Sequence, residues 1–344
     1  MAEVKNYPRV TIGITTFDRF DMLIETINSV QNQTFSDFRV LVANDNPERK
    51  LDTKSLGISD DPRFSVINHD SNLGEIQTLN SLLRLAETEY FTWLSDDDLL
   101  HPLFLQEALK ELDCNAEAVV FYSSYFAGAH WQPDLVEIDH NLNAQIFDKR
   151  TFLPDYASGK IRLIGCYGVF RKQSVLDAGG FLQLGTGFAP YADTILPILI
   201  SAQGKIIYTD TKYVFLRTHE GSLSNSSQEL ESYTSAQKDF LTLISPLLSK
   251  TIDKDSYKIQ CDFFSWFSSD RAAVIGRNPG LFWPLLTQIR QDIVFLMRLE
   301  INFSRKLSLL PSILDRFHMT SRTLLKEKIH GLHSYTKRLS NEFL

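Results

Sequence analysis

Three consecutive carboxylates, Asp96, Asp97 and Asp98, follow the apolar run YFTWL (90–94). Close carboxylates repel one another by roughly 4 kcal/mol per pair at 4 Å and an effective dielectric near 20, so a positive group belongs beside them. Hard divalent cations take oxygen ligands, and Mg²⁺ commonly uses one or two carboxylates together with substrate phosphates. The same aspartates would also end a strand and cap the helix announced by Pro102. A second carboxylate, Asp45, ends the run FRVLVAN (38–44). There it can accept the imide N–H of a uracil or thymine ring, or simply form an Asx turn within Asn44-Asp45-Asn46-Pro47. Thr15-Thr16-Phe17-Asp18-Arg19 offers backbone groups, hydroxyls and an aromatic face on which a base can stack. No GxGxxG is present there, which removes support for nicotinamide-dinucleotide chemistry.

These residues need strands to place them. RVTIGIT (9–15), FRVLVAN, FSVIN (64–68) and YFTWL read as four strands. Phe20, Leu23, Ile24, Ile27 and Val30 mark one intervening amphipathic helix, and Ile76, Leu79, Leu82, Leu83 and Ala86 mark another. The β-α-β order predicts an open α/β sheet, mainly parallel, with its ligand site beyond the C-terminal strand ends. Further on, 103–112 reads as a helix, while AVVFYSSYF (118–126) and IRLIGCYGVF (161–170) read as strands. A helix is expected over 194–202, then strands KIIYT and YVFLR. Beyond 229 the pattern is almost wholly helical, which puts a domain boundary near 225–228. The expected division is 1–226, with a nucleotide half (1–102) and an acceptor half (103–226), followed by a helical C-terminal region, 227–344.

The 344 residues are 43% hydrophobic and 22% charged, enough for a large core and unlike a disordered or disulfide-stapled chain. Cys114, Cys166 and Cys261 lie far apart without zinc-ligand spacing. No stretch free of Asp, Glu, Lys and Arg reaches the roughly 18 residues of a spanning helix, and the first residues lack a signal-peptide core, so a cytoplasmic location is expected. Residues 287–344 carry ten Lys or Arg against five Asp or Glu, a balance of +5, which leaves −12 of the net −7 for residues 1–286. An acidic body disfavours nucleic acid. The basic, aromatic tail suits helical packing, a homo-oligomer contact or peripheral contact with the inner membrane face.

The segment ITTFDRFDMLIETINSVQNQTFSDFRVLVANDN, followed by SNLGEIQTLNSLLRLAETEYFTWLSDDDLLHP, closely resembles the opening of the family 2 glycosyltransferases with the GT-A fold. The similarity is specific over about 8–102 and weaker to about 225. It implies a nucleotide-diphosphate-sugar site, with base and ribose at Thr15, Thr16, Phe17, Arg19, Asp45 and Asp96, and weaker matches at Asn72, Gly74 and Asn80. The family metal motif is usually Asp-x-Asp, whereas here Ser95 stands at its first position, leaving Asp97 as the metal ligand, with Asp96 on the ribose or on the metal through water and Asp98 in support. Asp193 reads by itself as a helix N-cap, with Pro197 in the first turn. By resemblance it is the general base of an inverting reaction, its usual acidic partner replaced by Ala192. Arg217 and His219 match a segment beside the donor diphosphate, with His219 a candidate for the metal shell.

The expected function is transfer of a sugar from a UDP or dTDP sugar to an acceptor hydroxyl on a saccharide or lipid-linked glycan, with Mg²⁺ or Mn²⁺, in glycan biosynthesis. The rivals are a sugar nucleotidyltransferase, disfavoured because Thr15 to Arg19 is not a glycine-rich basic loop, and a non-catalytic glycan- or nucleotide-binding subunit.

Overall fold

The computed structural model describes residues 8–129, 144–186, 190–219 and 230–248, together with 259, 262, 263 and 267. The fully buried run VTIGITT forms β1 (Val10–Thr16), the centre of the first half. β-branched residues tolerate burial on both faces of such a strand, which is why it reads as a continuous apolar run. Helix α1 (Phe20–Gln31) buries Leu23, Thr26, Ile27 and Val30, and β2 (Phe38–Asn44) and β3 (Phe64–Asn68) follow. Gly74, at φ +81°, turns the chain into α2 (Glu75–Leu85), whose buried face is Ile76, Thr78, Leu79, Leu82 and Leu83. Strand β4 (Tyr90–Ser95) then lies beside β1.

The second half begins with a two-residue strand, β5 (Leu99–Leu100), and α3 (Phe104–Cys114). After it come β6 (Ala118–Gly128), β7 (Gln145–Phe147), α4 (Lys149–Ala157), β8 (Val169–Arg171), α5 (Lys172–Asp177), α6 (Ala192–Ile200) and β9 (Lys205–Arg217). The sheet order is β3-β2-β1-β4-β8-β6-β9-β5, with β7 paired to β9. Pairing is parallel for β1/β2, β1/β4, β2/β3 and β6/β9, and antiparallel for β4/β8, β6/β8, β5/β9 and β7/β9. The sheet is therefore an open, mixed one flanked by helices, with β3, β2, β1 and β4 forming a continuous parallel block in the first half. Because β8 runs antiparallel to both β4 and β6, the strand ends at Ser95, Gly128 and Arg217 fall on one edge.

Three expectations change. Of IRLIGCYGVF only Val169 and Phe170 join the sheet, and the rest is a buried connection. Its glycines explain this. A Cβ on Gly165 would lie 1.7 Å from the Asp193 carbonyl oxygen, and one on Gly168 would lie 2.7 Å from Val120 Cγ2. The run is apolar because it threads between α6 and β6. KIIYT and YVFLR are one strand, β9, whose register against β6 shifts at Ser123/Ser124 and Ser124/Tyr125. The third change concerns α6, which starts at Ala192 with Tyr191 as its cap, so Asp193 sits inside the first turn and Pro197 beyond it.

Helix α7 (Leu230–Leu248) packs back on the second half. Tyr191 and Phe240 meet edge to face at 6.3 Å, and Asp239 Oδ2 accepts a 2.8 Å hydrogen bond from the Gly185 amide. The expected boundary at 225–228 and most of the basic tail lie outside the described residues. Among the described residues no helix is long and apolar enough to cross a membrane.

Candidate active site

At the C-terminal ends of β1, β2 and β4 a cleft of about 350 Å³ is lined by Thr15, Thr16, Phe17, Arg19, Asp45, Asn72, Gly74, Glu75, Thr78 and Ser95. Two crossovers start from this edge, so the strands part there and leave the space. Phe17 is 48% exposed, an aromatic face held at the rim by the strand beneath it. Thr15 Oγ1 accepts from Trp93 Nε1 at 3.0 Å, which fixes the end of β1 to β4. Asp18, between Phe17 and Arg19, adopts φ +61°. Among the described residues only one other non-glycine has positive φ, Tyr191 at +70°, which immediately precedes Ala192 and Asp193. Such backbone costs on the order of 1 kcal/mol and tends to mark sites where geometry is imposed for function.

Asp45 is buried, and its carboxylate organises the opposite wall. Oδ1 accepts from the Leu73 amide at 2.9 Å and lies 3.0 Å from His69 Nδ1, while Oδ2 accepts from the Gly74 amide at 2.8 Å. A carboxylate oxygen offers two acceptor positions, so Oδ2 keeps one for a ligand. The Asx turn in this run belongs to Asn44, whose Oδ1 accepts from the Asn46 amide. Asn72 Oδ1 also accepts from Gly74 N, at 2.9 Å, and so shapes the wall through the loop.

The three aspartates divide their work by direction. Asp96 turns to β1: Oδ2 accepts from Thr16 Oγ1 at 2.7 Å and from Phe17 N at 3.3 Å, and Oδ1 lies 3.1 Å from Arg19 Nε without forming a hydrogen bond. Burial raises its pKa to about 6 against the opposing pull of Arg19. Asp98 turns to the second half, accepting from the Tyr167 hydroxyl and, at 2.8 Å, from Arg217 N. Burial, then the Asp97 charge, pushes its pKa to about 7. Asp97 stands between them, paired with Arg19 and 3.0 Å from His219 Nε2. None of the three caps α3, whose N-cap is Leu103.

Other expected residues are placed differently. The Arg217 guanidinium reaches Glu25 on α1 at 2.8 Å, while its backbone amide bonds Asp98 and its charge acts on that aspartate from a distance. Asn80 does not line the cleft. Its amide spends both ends on Phe181, donating to the carbonyl at 2.8 Å and accepting from the amide at 3.0 Å. Asp193 is half-buried in the first turn of α6, where desolvation raises its pKa, with Thr194 Oγ1 donating to it at 3.2 Å. Glu75, which sequence reasoning passed over, lines the cleft as the first residue of α2. Burial and then Asp97 raise its pKa to about 7, although the residue as a whole is only half-buried. Its signal was positional: it directly follows the glycine that turns toward the cleft.

Among the described residues no three His, Cys, Asp or Glu side chains form a ready cation cage. Two donors do converge, the Asp97 carboxylate and the His219 imidazole, and a site with so few protein ligands fits a cation that completes its shell with ligand phosphates.

Residues 11–176 match the model of the family described as glycosyl transferase family 2. A GalNAc(5)-diNAcBac-PP-undecaprenol beta-1,3-glucosyltransferase of Campylobacter jejuni is 35% identical over 95 residues, 27% of this chain and 31% of that protein. The putative colanic acid biosynthesis glycosyl transferase WcaA of Escherichia coli K12 is 30% identical over 96 residues, 28% and 34% of the two chains. The chain spans less than half the length of the curated relatives it matches, 17% for a Rickettsia bellii protein. Among solved structures, Staphylococcus aureus TarS 1–349 in complex with UDP-GlcNAc superposes with a TM-score of 0.65 at 16% identity, over 94% of this chain and 92% of that one. That likeness is one of fold, GT-A in type. Residues 11–176, which hold the cleft and the aspartates, are thus the part of the chain that is similar to glycosyl transferase family 2.

Proposed function

We propose that the protein transfers a sugar from a uridine or thymidine diphosphate sugar to an acceptor hydroxyl, with inversion at the anomeric carbon. The observation that carries this reading is the single cleft edge joining Phe17 and Asp45 to Arg19, Asp97 and His219. An aromatic face and a free carboxylate acceptor position suit a uracil or thymine base, and the neighbouring Arg19 guanidinium and His219 imidazole suit a diphosphate. The name of TarS in complex with UDP-GlcNAc supports a uridine donor. The undecaprenol in the Campylobacter relative's name supports a lipid-linked saccharide acceptor and a role in glycan biosynthesis.

In the proposed reaction the acceptor oxygen attacks the anomeric carbon as the bond to the diphosphate oxygen breaks, and the nucleoside diphosphate leaves with the electron pair. Asp193 takes the acceptor proton. Its desolvated setting favours a carboxylate basic enough for that task near neutral pH. Arg19 and His219 flank the charge that develops on the leaving group. Asp97 and His219 would hold Mg²⁺ or Mn²⁺, which when bound supplies further neutralisation of that charge. Asp96 holds Thr16 and Phe17 in place under the nucleotide.

Two variants test the assignment. Asp193→Asn should bind UDP with unchanged affinity and lose turnover by about 10²- to 10⁴-fold. Asp97→Ala should abolish the metal dependence of UDP binding measured by calorimetry. Full turnover in Asp193→Asn would remove the base from the mechanism.

A further inference from the structure

Glu75 is the one carboxylate in the cleft wall that nothing in the proposed reaction uses. Among the described residues its carboxyl enters no hydrogen bond and no ion pair, although it lines the same space as Thr15 and Asp45. The nearest guanidinium, that of Arg19, is already paired with both Asp96 and Asp97. Glu75 feels the charges of Asp97, Asp193 and Asp96, and its own charge reaches Cys166 and Tyr167 on the buried connection beneath α6. It therefore stands in the cleft wall within reach of both the aspartates and the candidate base. In a transferase, the space between such groups holds the sugar of the donor.

We infer that Glu75 contacts the donor sugar, accepting or sharing a hydrogen bond with a ring hydroxyl, and that it restricts the donor to sugars without a negative charge. This rests on the proposed transferase reading. A hexuronic acid would bring a fourth carboxylate among Glu75, Asp97 and Asp193, whereas a neutral hexose or N-acetylhexosamine brings only hydroxyls and an amide. Repulsion at such separations, in a cleft partly shielded from water, is a discrimination of about tenfold or more.

The test is calorimetric binding at pH 8 with Mn²⁺, on wild type, Glu75→Gln and Glu75→Ala. The probes are UDP, UDP-glucose, UDP-galactose, their N-acetylamino counterparts, UDP-glucuronate and UDP-galacturonate. UDP should bind all three proteins alike, within about twofold. In wild type at least one neutral sugar nucleotide should exceed its uronate counterpart by about tenfold or more, and Glu75→Gln should shrink that ratio by at least about fivefold. Glu75→Ala should also lose the affinity that the neutral sugar adds to UDP. UDP binding with equal affinity for neutral and anionic sugars in wild type, or a ratio untouched by Glu75→Gln, overturns the inference and leaves the nucleotide site standing. Failure of UDP itself to bind overturns the nucleotide reading and this inference with it.

Discussion

The two halves of the sheet meet at the aspartates and are built on different principles. In the first half β1 and β3 are each followed by a helix and all four strands pair in parallel, so side chains at the strand ends arrive at one edge by topology alone. In the second half antiparallel pairings and a long buried connection bring Tyr167 to that edge by packing and set Asp193 where its charge reaches Glu75. The difference shows in the partners. Asp96 is held by residues of β1 and its following turn, Asp98 by Tyr167 and Arg217, and Asp97 by one group from each side, Arg19 and His219.

The largest break in that contrast should come from Gly165. Pro197 has no N–H, so the Asp193 carbonyl four residues earlier has no helical amide to accept from, and the chain at Gly165 closes against it. Alanine there would put a methyl 1.7 Å from that oxygen. Backbone must move on both sides, and Gly165→Ala should cost about 3 kcal/mol or more, carrying Asp193 with it. Chemical denaturation and turnover should both fall sharply, while the equivalent packing change in the first half, Leu82→Val, should spare turnover in the folded fraction.

The same contrast governs what the sequence discloses. The first half reads off its hydrophobic periods: β2 and β3 fall on FRVLVAN and FSVIN, and the helical spacing of Ile76, Leu79, Leu82 and Leu83 matches the buried face of α2. The cleft residues Thr15, Phe17 and Asp45 are legible because they end such strands. In the second half IRLIGCYGVF has the composition of a strand and the packing role of a buried connection, a distinction set by what lies across from Gly165 and Gly168. Helix α4 carries a full capping box between Asp148 and Thr151, yet Pro154 inside it hides the pattern. Glu75 and Tyr167 were illegible for a related reason: each matters through residues distant in sequence, Asp97 for one and Asp98 for the other.

Asn80 sharpens the comparison from the other side. It lies on a first-half helix but ties that helix to the second half through Phe181. Asn80→Ala leaves the Phe181 amide and carbonyl without these partners and should cost about 2 kcal/mol in urea denaturation. UDP affinity should change by less than about twofold, since the side chain does not face the cleft. A tenfold loss of nucleotide affinity at unchanged stability would return Asn80 to the nucleotide wall.

The smallest effect is the most specific to the joint. The Glu75 pKa rises from 4.5 in an unstructured chain to about 7, chiefly by burial and then by Asp97. A carboxyl with a raised folded-state pKa binds more protons folded than unfolded between those values, so its presence costs stability progressively as pH rises from about 4.5 through 7. The cost is complete above pH 7 and absent below about 4. Glu75→Gln removes it, at the loss of a favourable charge in the first turn of α2, itself worth about 0.3–1 kcal/mol. The variant should therefore be more stable than wild type by about 1–2 kcal/mol at pH 8, and equal to it or slightly weaker at pH 4. Urea denaturation of both proteins at the two pH values measures the difference. A gain that persists unchanged at pH 4 would place the strain in packing of α2, and the charge of the aspartate joint would have no part in it.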